Sequence, residues 1–273
     1  MHIFPNWRIL ITGVLWKLTI GFRIVYRKRM LIDTHFHLDL MENMQTLIRE
    51  FRNSDIGIIA VGTTPRAYER EKRFCSGVDN IRVSLGFHPQ LVAERESEID
   101  LFLRLVKSNR YIGEIGLDFN SAYIASQEQQ FSCFQRIAKA CADKGNKVLS
   151  IHSVKAVGAV IDELERAGTF QNNICIFHWF TGTVAERRRA IEAGAWFSIN
   201  PRMLKIKSGQ EIIKVIPADR LLLETGAPFT KKFSTAIELK KELLTIVKGL
   251  EEIRGENVKE QVEANCNLIV EEQ

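Results

Sequence analysis

From residue 30 onward, short apolar runs alternate with longer stretches in which apolar residues recur every three or four positions. In the longer stretches, residues such as Phe131, Phe134, Ala138 and Cys141 fall at the spacing of one helix face. The short runs are rich in aliphatic residues and end at a glycine, a polar residue or a histidine, which is typical of buried strands. Eight strands are predicted: Leu31–Thr34, Ile56–Val61, Ile81–Leu85, Tyr111–Ile115, Lys147–Ile151, Ile174–Phe177, Ala195–Ile199 and Leu221–Leu223.

Strands that alternate with helices form βαβ units, and such units build a parallel sheet. Eight units in roughly 240 residues predict an α/β fold of the (β/α)₈ barrel type. An open, doubly wound sheet is the alternative, but the G-x-G-x-x-G turn that would favour it does not follow the first strand. We expect the eighth helix from Phe233 to Gly249, a last helix from about Val258, and one domain over residues 30–273.

Composition narrows the class of protein. The 273 residues are 45% hydrophobic and 26% charged, which argues against disordered, collagen-like and coiled-coil proteins. Five cysteines without a C-x-x-C pair predict a reducing, cytoplasmic location and argue against a disulfide framework or a zinc ribbon. Residues 1–29 hold six of the 38 basic residues and none of the 33 acidic ones, so 32 basic and 33 acidic residues remain. The domain therefore has no global basic surface for nucleic acid, although a local basic rim stays possible.

The N-terminal extension, residues 1–29, has two interpretations. Its apolar stretch, residues 9–22, is shorter than the roughly 20 residues of a membrane span and has no signal-peptide cleavage site. Residues 27–29 are basic and could hold the stretch on an anionic membrane surface. Alternatively, Met30 is the true start, because the first predicted strand begins directly after it. We expect no stable membrane insertion and a barrel that folds without the extension.

Histidines mark the ends of the predicted strands. One of the six, His2, lies in the extension, and the other five follow strands one, three, five and six: His35, His37, His88, His152 and His178. Strand four ends in the acidic motif Gly113-Glu114-Ile115-Gly116-Leu117-Asp118. The carboxyl ends of barrel strands converge on one rim, where active sites of this fold are built. Five histidines with acids among them predict a metal site there.

The spacing suggests how two ions would be held. His35 and His37 are two residues apart, so both side chains point the same way from a strand and can chelate one ion. Glu114 could bridge to a second ion held by His152 and His178. Imidazole and carboxylate ligands suit Zn²⁺, Mn²⁺ and Fe²⁺, and oxygen ligands suit Mg²⁺. Two ions about 3.5–4 Å apart would clamp a phosphate and activate a water for its displacement.

The residues from Met30 to about Val270 resemble the TatD family of metal-dependent deoxyribonucleases, in the amidohydrolase-like barrel superfamily. The matching motifs span most of the domain: Ile32-Asp33-Thr34-His35-Phe36-His37-Leu38-Asp39, Gly86-Phe87-His88-Pro89, Gly113-Glu114-Ile115-Gly116-Leu117-Asp118, Ile151-His152-Ser153, Phe177-His178-Trp179-Phe180-Thr181-Gly182 and Leu222-Leu223-Glu224-Thr225-Gly226-Ala227-Pro228. Within the family, overall similarity that includes Gly62-Thr63-Thr64-Pro65 and Asn200-Pro201-Arg202-Met203 is to the QatD branch, the TatD-like component of the Qat anti-phage system.

The resemblance implies hydrolysis of DNA, single-stranded in our expectation, with two divalent ions (Mg²⁺, Mn²⁺ or Zn²⁺) on the ligands named above. It implies other Qat-system proteins as partners. His88 would sit over the phosphate or the leaving group, or else be a turn histidine fixed by Pro89. Asp118 would orient its neighbours, or else cap a helix. Arg202 is the expected substrate contact.

One position departs from the family motif. Strand eight of the family reads Glu-Thr-Asp-Ala-Pro, whereas this chain has Gly226 in place of the catalytic Asp. Glycine offers neither a metal ligand nor a base, so the resemblance implies impaired activity unless another oxygen fills the gap. Glu224, two residues earlier, could point toward the same side.

Two other functions stay open from the sequence. The same barrel and ligand set could hydrolyse a small amide, ester or lactone, and a carboxylated lysine between the ions would support that reading. At the bridging position, strand four has a glutamate, Glu114, and not a lysine. Alternatively, the barrel has lost its chemistry and binds nucleic acid or protein, and Gly226 is the best support for that reading.

Overall fold

Eight parallel strands close on themselves in the computed structural model, which describes residues 30–271. The hydrogen-bonded order is β3-β2-β1-β8-β7-β6-β5-β4, and a parallel bridge between Leu85 and Ile112 joins the two ends. The strands are β1 Leu31–Phe36, β2 Ile56–Val61, β3 Ile81–Ser84, β4 Tyr111–Asp118, β5 Val148–Val154, β6 Ile174–His178, β7 Trp196–Ile199 and β8 Leu221–Leu223. The predicted eight-stranded α/β barrel is confirmed.

Helices follow the strands and cover the outside of the barrel. They are α1 Met44–Phe51, α2 Pro65–Phe74, α3 Val92–Arg95, α4 Ile99–Leu105, α5 Gln127–Lys144, α6 Val157–Ala167, α7 Val184–Glu192, α8 Pro201–Lys205, α9 Lys207–Ile213, α10 Ala236–Arg254 and α11 Lys259–Val270. The predicted eighth helix corresponds to α10, which begins three residues later than expected because the Thr235 hydroxyl accepts the Glu238 N–H as its cap. It ends at Gly255, whose φ of 68° is easily adopted by glycine.

The predicted strands stop too early on the side of the barrel where the histidines lie. β1, β4 and β5 continue through polar residues to Phe36, Asp118 and Val154. These polar side chains are tolerated inside the barrel because they bond to one another. The His35 Nδ1 lies 2.8 Å from the Ser150 hydroxyl, a contact that crosses from β1 to the opposite strand, β5. The buried polar contacts of His35 and Ser150 therefore lie toward the carboxyl ends of β1 and β5.

Within residues 30–271, no helix is both long and apolar enough to cross a bilayer. The expectations for the extension, residues 1–29, lie outside the described residues.

A buried carboxyl group on α2 makes stability depend on pH. Glu71 is 3% exposed, and neither of its oxygens has a hydrogen-bond partner among the described residues. Burial, with a smaller contribution from the charge of Asp39, raises the pKa of Glu71 from 4.5 to about 8. The folded chain therefore holds this proton more tightly than the unfolded chain does, and the resulting stability is lost as pH rises from about 4.5 to about 8.

We expect Glu71→Gln to remove this pH dependence, because the amide never ionises. Each pKa unit is equivalent to about 1.4 kcal/mol, so the free energy of unfolding of the wild type should fall by roughly 2–3 kcal/mol more than that of the variant between about pH 5.5 and pH 8. Thermal melts of both proteins across this range measure the difference. Parallel curves would show that Glu71 is ionised in the folded chain.

Candidate metal centre

A bulge in β4 places Glu114 at the centre of the site. The register against β5 shifts between Ile112 and Ile115, and such irregularities re-aim side chains near active sites. Gly113 and Gly116 flank it with φ values of 152° and 139°, and a Cβ on Gly116 would lie 2.0 Å from a backbone oxygen of β5. The glycines of the acidic motif therefore allow β4 to approach β5 closely, which fixes the position of Glu114.

One oxygen of Glu114 faces the histidines of β1. The Nε2 atoms of His35 and His37 lie 3.1 Å apart, and each is 3.4 Å from Glu114 Oε2. All three side chains are almost completely buried. Two imidazole nitrogens and a carboxylate oxygen at this spacing converge on one point, as the His-x-His spacing led us to expect.

The other oxygen of Glu114 faces a second set of histidines. Glu114 Oε1 lies 2.6 Å from His152 Nδ1, 2.8 Å from His178 Nε2 and 3.3 Å from His88 Nε2. His178 also stacks on His35, with ring centroids 3.9 Å apart, and its Nδ1 is 3.8 Å from Glu224. We group His178 with His152 because its contact with Glu114 is an ångström shorter than its contact with Glu224.

In three histidines, the ring nitrogen that does not face Glu114 also has a hydrogen-bond partner. His35 Nδ1 contacts Ser150, and His152 Nε2 lies 2.9 Å from Asp118 Oδ2. Metal-binding histidines commonly donate their outer N–H in this way, which leaves the inner nitrogen free for an ion. His88 differs, because its Nδ1 accepts the N–H of Gln90 at 3.2 Å. In neutral His88 the proton is then on Nε2, the atom that faces Glu114.

Asp118 supports His152 from the end of β4. Its Oδ2 also accepts a hydrogen bond from the Gln90 side chain at 2.7 Å, and its Oδ1 accepts the N–H of Asn120. Burial opposes ionisation of Asp118, but the bonds from His152 and Gln90 outweigh burial and lower its pKa to about 2. The alternative that Asp118 caps a helix is wrong, because the residue it bonds within the loop, Asn120, is not helical.

Contacts between histidines and carboxylates shift the pKa values of both kinds of group at the site. Burial alone would raise the pKa of Glu114, but the imidazoles of His88, His178 and His35 outweigh burial and hold that pKa well below its usual range. His152 shows the complementary shift: hydrogen bonds to Asp118 and Glu114 outweigh burial and raise its pKa to about 9. A cation at this position would replace the proton of His152, as binding to histidine ligands generally requires.

Glu224 lies behind the cluster rather than in the cavity. It is fully buried, and its oxygens accept hydrogen bonds from the Trp179 N–H at 3.0 Å, the Asn200 amide at 2.9 Å and the Ser198 hydroxyl. Burial raises its pKa. These bonds hold Glu224 beside His178 and His35, so that one of its carboxylate oxygens and a ring nitrogen of each histidine lie within 4.8 Å of one another.

A cavity of about 290 Å³ opens above the cluster. Its lining combines the five histidines and Glu114 with smaller and aromatic residues: Gln90, Ser153, Val154, Trp179, Thr181, Gly226 and Phe229. Gly226 thus lies where the family motif has its Asp, and its N–H donates to the His35 carbonyl at 3.1 Å. Arg202 does not line the cavity, but its guanidinium lies 5.2 Å from the centre of the Trp179 ring.

Several of these contacts were not predicted. Ser150 could have been found, since it precedes His152 by two residues and must face the same way from β5. Gln90 lies in the short 3₁₀ helix Pro89–Leu91, and Phe229 follows Pro228 in a turn, so neither has a periodic signal. Their position at the cavity depends on the three-dimensional closure of the barrel.

Known proteins show the same architecture and sequence pattern. The sequence model of the family described as TatD related DNase matches residues 32–271. Human deoxyribonuclease TATDN3 is 23% identical over 72% of this chain and 78% of its own length. The 3'-5' ssDNA/RNA exonuclease TatD of Pantoea vagans (strain C9-1) is 28% identical over 68% of this chain and 73% of its own length.

The fold is likewise shared with the crystal structure of YJJV, a TatD homologue from Escherichia coli, at a TM-score of 0.74. The two are 19% identical, and the match covers 87% of this chain and 95% of that one. The family match extends over most of the sequence and includes every histidine and carboxylate of the cluster. The chain therefore belongs to the TatD family of metal-dependent hydrolases.

Proposed function

We propose that this chain hydrolyses phosphodiester bonds in single-stranded DNA at a centre of two divalent ions. The observation that carries the proposal is the placement of Glu114, whose two oxygens face two separate sets of histidine nitrogens. A carboxylate in that position suits a bridge between two cations. The described activity of the Pantoea relative, on single-stranded DNA and RNA, supports this choice of substrate.

The residues suit the ions proposed from the sequence, Mg²⁺, Mn²⁺ or Zn²⁺. His35 and His37 with one oxygen of Glu114 would hold the first, and His152 and His178 with the other oxygen would hold the second. Mixed imidazole and carboxylate ligands fit Mn²⁺ and Zn²⁺ best. Such ions neutralise phosphate charge and lower the pKa of an attacking water.

His88 is assigned to proton transfer. Its Nδ1 accepts the Gln90 N–H, so the proton on Nε2 points toward Glu114 at the edge of the cavity. When the bond between phosphorus and the leaving oxygen breaks, that oxygen can take this proton. Asp118 and Gln90 act indirectly, because they hold His152 in the orientation that leaves its Nδ1 facing Glu114.

Gly226 is proposed to reduce the activity of this chain. It lines the cavity without offering a side chain, and Glu224, although close to His35 and His178, accepts three hydrogen bonds and does not line the cavity. Among residues 30–271, Glu114 is the one carboxylate that lines the cavity. The first ion would therefore keep more of its own water and be held more weakly than in a protein with Asp at this position.

The small-amide alternative has less support. Lysines are absent from the cavity lining within the described part of the chain. The buried Lys147 instead donates to the carbonyls of Val106 and Asn109. A carboxylated lysine between two ions therefore has no candidate here. A barrel that binds nucleic acid without cleaving it is favoured only by Gly226, and the cleavage assay below distinguishes it.

The narrower assignment to the QatD branch, with an anti-phage role beside other Qat-system proteins, is a proposal from the sequence motifs. If it is correct, a cell carrying the complete system should lose protection against phage when Glu114 is replaced by Gln. Unchanged plaque counts would contradict the role in defence and leave the hydrolase assignment in place.

Cleavage of DNA tests the proposed function directly. A fluorescently end-labelled single-stranded oligonucleotide is incubated with the chain and Mg²⁺, Mn²⁺ or Zn²⁺ in turn. We expect slow cleavage that EDTA stops and a duplex of the same sequence resists. If the chain and its Gly226→Asp variant both leave DNA intact with every ion, the nuclease proposal fails.

A further inference from the structure

Two aromatic side chains form the mouth of the metal-site cavity. Phe229, in the turn after β8, leaves 63% of its surface exposed although it lines the cavity. Its ring meets the ring of His37 edge-on, with centroids 5.1 Å apart and planes at 88°. An apolar ring so exposed and so close to a candidate ligand is placed to contact whatever enters the cavity.

Trp179 lines the same cavity from the turn after β6. Its φ of 43° lies in the left-handed region, which a bulky residue adopts only when its surroundings impose it, and such residues cluster at functional sites. Here the Trp179 N–H is fixed by Glu224 at 3.0 Å. Glu224 thereby fixes the position of Trp179 at the cavity mouth, in addition to its contact with His178.

Arg202 joins the two aromatic residues. Its guanidinium lies over the Trp179 ring at 5.2 Å, and its Nη2 donates to the Phe229 carbonyl at 3.3 Å. Among the acids of residues 30–271, none forms an ion pair with Arg202. No carboxylate of the described residues therefore offsets the positive charge of Arg202 beside the aromatic rings.

We propose that Phe229, with Trp179 at the same cavity and Arg202 beside both, stacks the nucleobase next to the scissile phosphate. The inference rests on the proposed nuclease function and adds the contact by which single strands are selected over duplexes. Every base has a π-face, so stacking on an aromatic ring binds single strands with little regard to sequence. A paired duplex keeps its bases stacked on each other and cannot offer one to Phe229 without unpairing.

The test separates stacking from general apolar contact. Phe229→Ala should weaken binding of a fluorescent thymidine oligonucleotide about ten- to a hundredfold, the usual effect of losing one base–aromatic stack. It should raise KM by a similar factor and change kcat little. Phe229→Tyr should retain wild-type binding, whereas Phe229→Leu should bind as weakly as the Ala variant. An oligonucleotide with one abasic position next to the cleaved bond should bind all four proteins weakly.

Phe74→Ala is the matched control, because Phe74 is also an exposed phenylalanine with an arginine nearby, Arg70, but lies on α2 away from the cavity. Binding is measured by anisotropy with Mn²⁺ and again with EDTA, and cleavage is measured separately. Equal binding by wild type and Phe229→Ala, or by Leu and Tyr variants, overturns the stacking proposal whatever the cleavage rate. Weaker binding by Phe229→Ala, with no cleavage by any of these proteins or by the Gly226→Asp variant, supports stacking and rejects the nuclease function.

Discussion

Glu114→Gln will remove both divalent ions and lower the rate of DNA cleavage by about 10³ or more. Removing a single preorganised electrostatic contact commonly costs 10²–10³ in rate, or about 2.7–4 kcal/mol of barrier, and Glu114 serves both sets of histidines. The amide keeps the shape of the side chain but loses the charge that offsets two cations. Elemental analysis after dialysis against Mn²⁺ measures the ions, and the oligonucleotide assay measures the rate.

Two controls make this result specific. Glu71→Gln replaces an equally buried glutamate outside the cavity and should retain full metal content. The double variant His152→Ala, His178→Ala should lose one ion and keep the other. If Glu114→Gln retains two ions, the carboxylate does not bridge them; if the double variant loses none, these histidines are not ligands.

Gly226→Asp should bind metal more tightly and cleave single-stranded DNA about 10² times faster, or more, than the present chain. The position accepts the change: a Cβ there has Thr230 as its nearest neighbour at 3.6 Å, and Asp tolerates the φ of 64° better than most residues do. The added carboxylate would lie at the cavity beside His35 and His37. Thermal stability of the variant should rise with metal concentration, since the ion binds only the folded state.

Gly226→Asn is the matched control, because it has the same shape and similar tolerance of the left-handed backbone but carries no charge. It should remain close to the present chain in activity. Equal cleavage by the glycine, asparagine and aspartate forms would show that another group, or water, already completes the site. The proposal of impaired activity would then be wrong.

Much of the fold followed from the alternation of apolar runs and helical segments, because a parallel barrel tends to bury both faces of its strands, as it does throughout β1 and β2. The ends of β1, β4 and β5 did not follow. Polarity after an apolar run usually marks the end of a strand, but here His35, Asp118 and His152 lie within strands. His152 contacts Asp118 directly, and His35 contacts Ser150 across the barrel.

The candidate ligands could be read from the sequence, since five histidines at strand ends must meet on one rim. What the sequence could not supply were contacts made across the barrel or between turns. The hydrogen bond between His35 and Ser150 joins opposite strands, and Arg202 on α8 contacts Trp179 in the turn after β6. The orientation of His88 likewise depends on one backbone N–H, that of Gln90.

The central claim is that Glu114 bridges two ions, and anomalous diffraction from crystals soaked in saturating Mn²⁺ tests it most directly. We expect two manganese peaks about 3.5–4 Å apart. One should lie beside Glu114 Oε2 with His35 and His37, and the other beside Oε1 with His152 and His178. A single peak, or two peaks that do not share Glu114, would contradict the account.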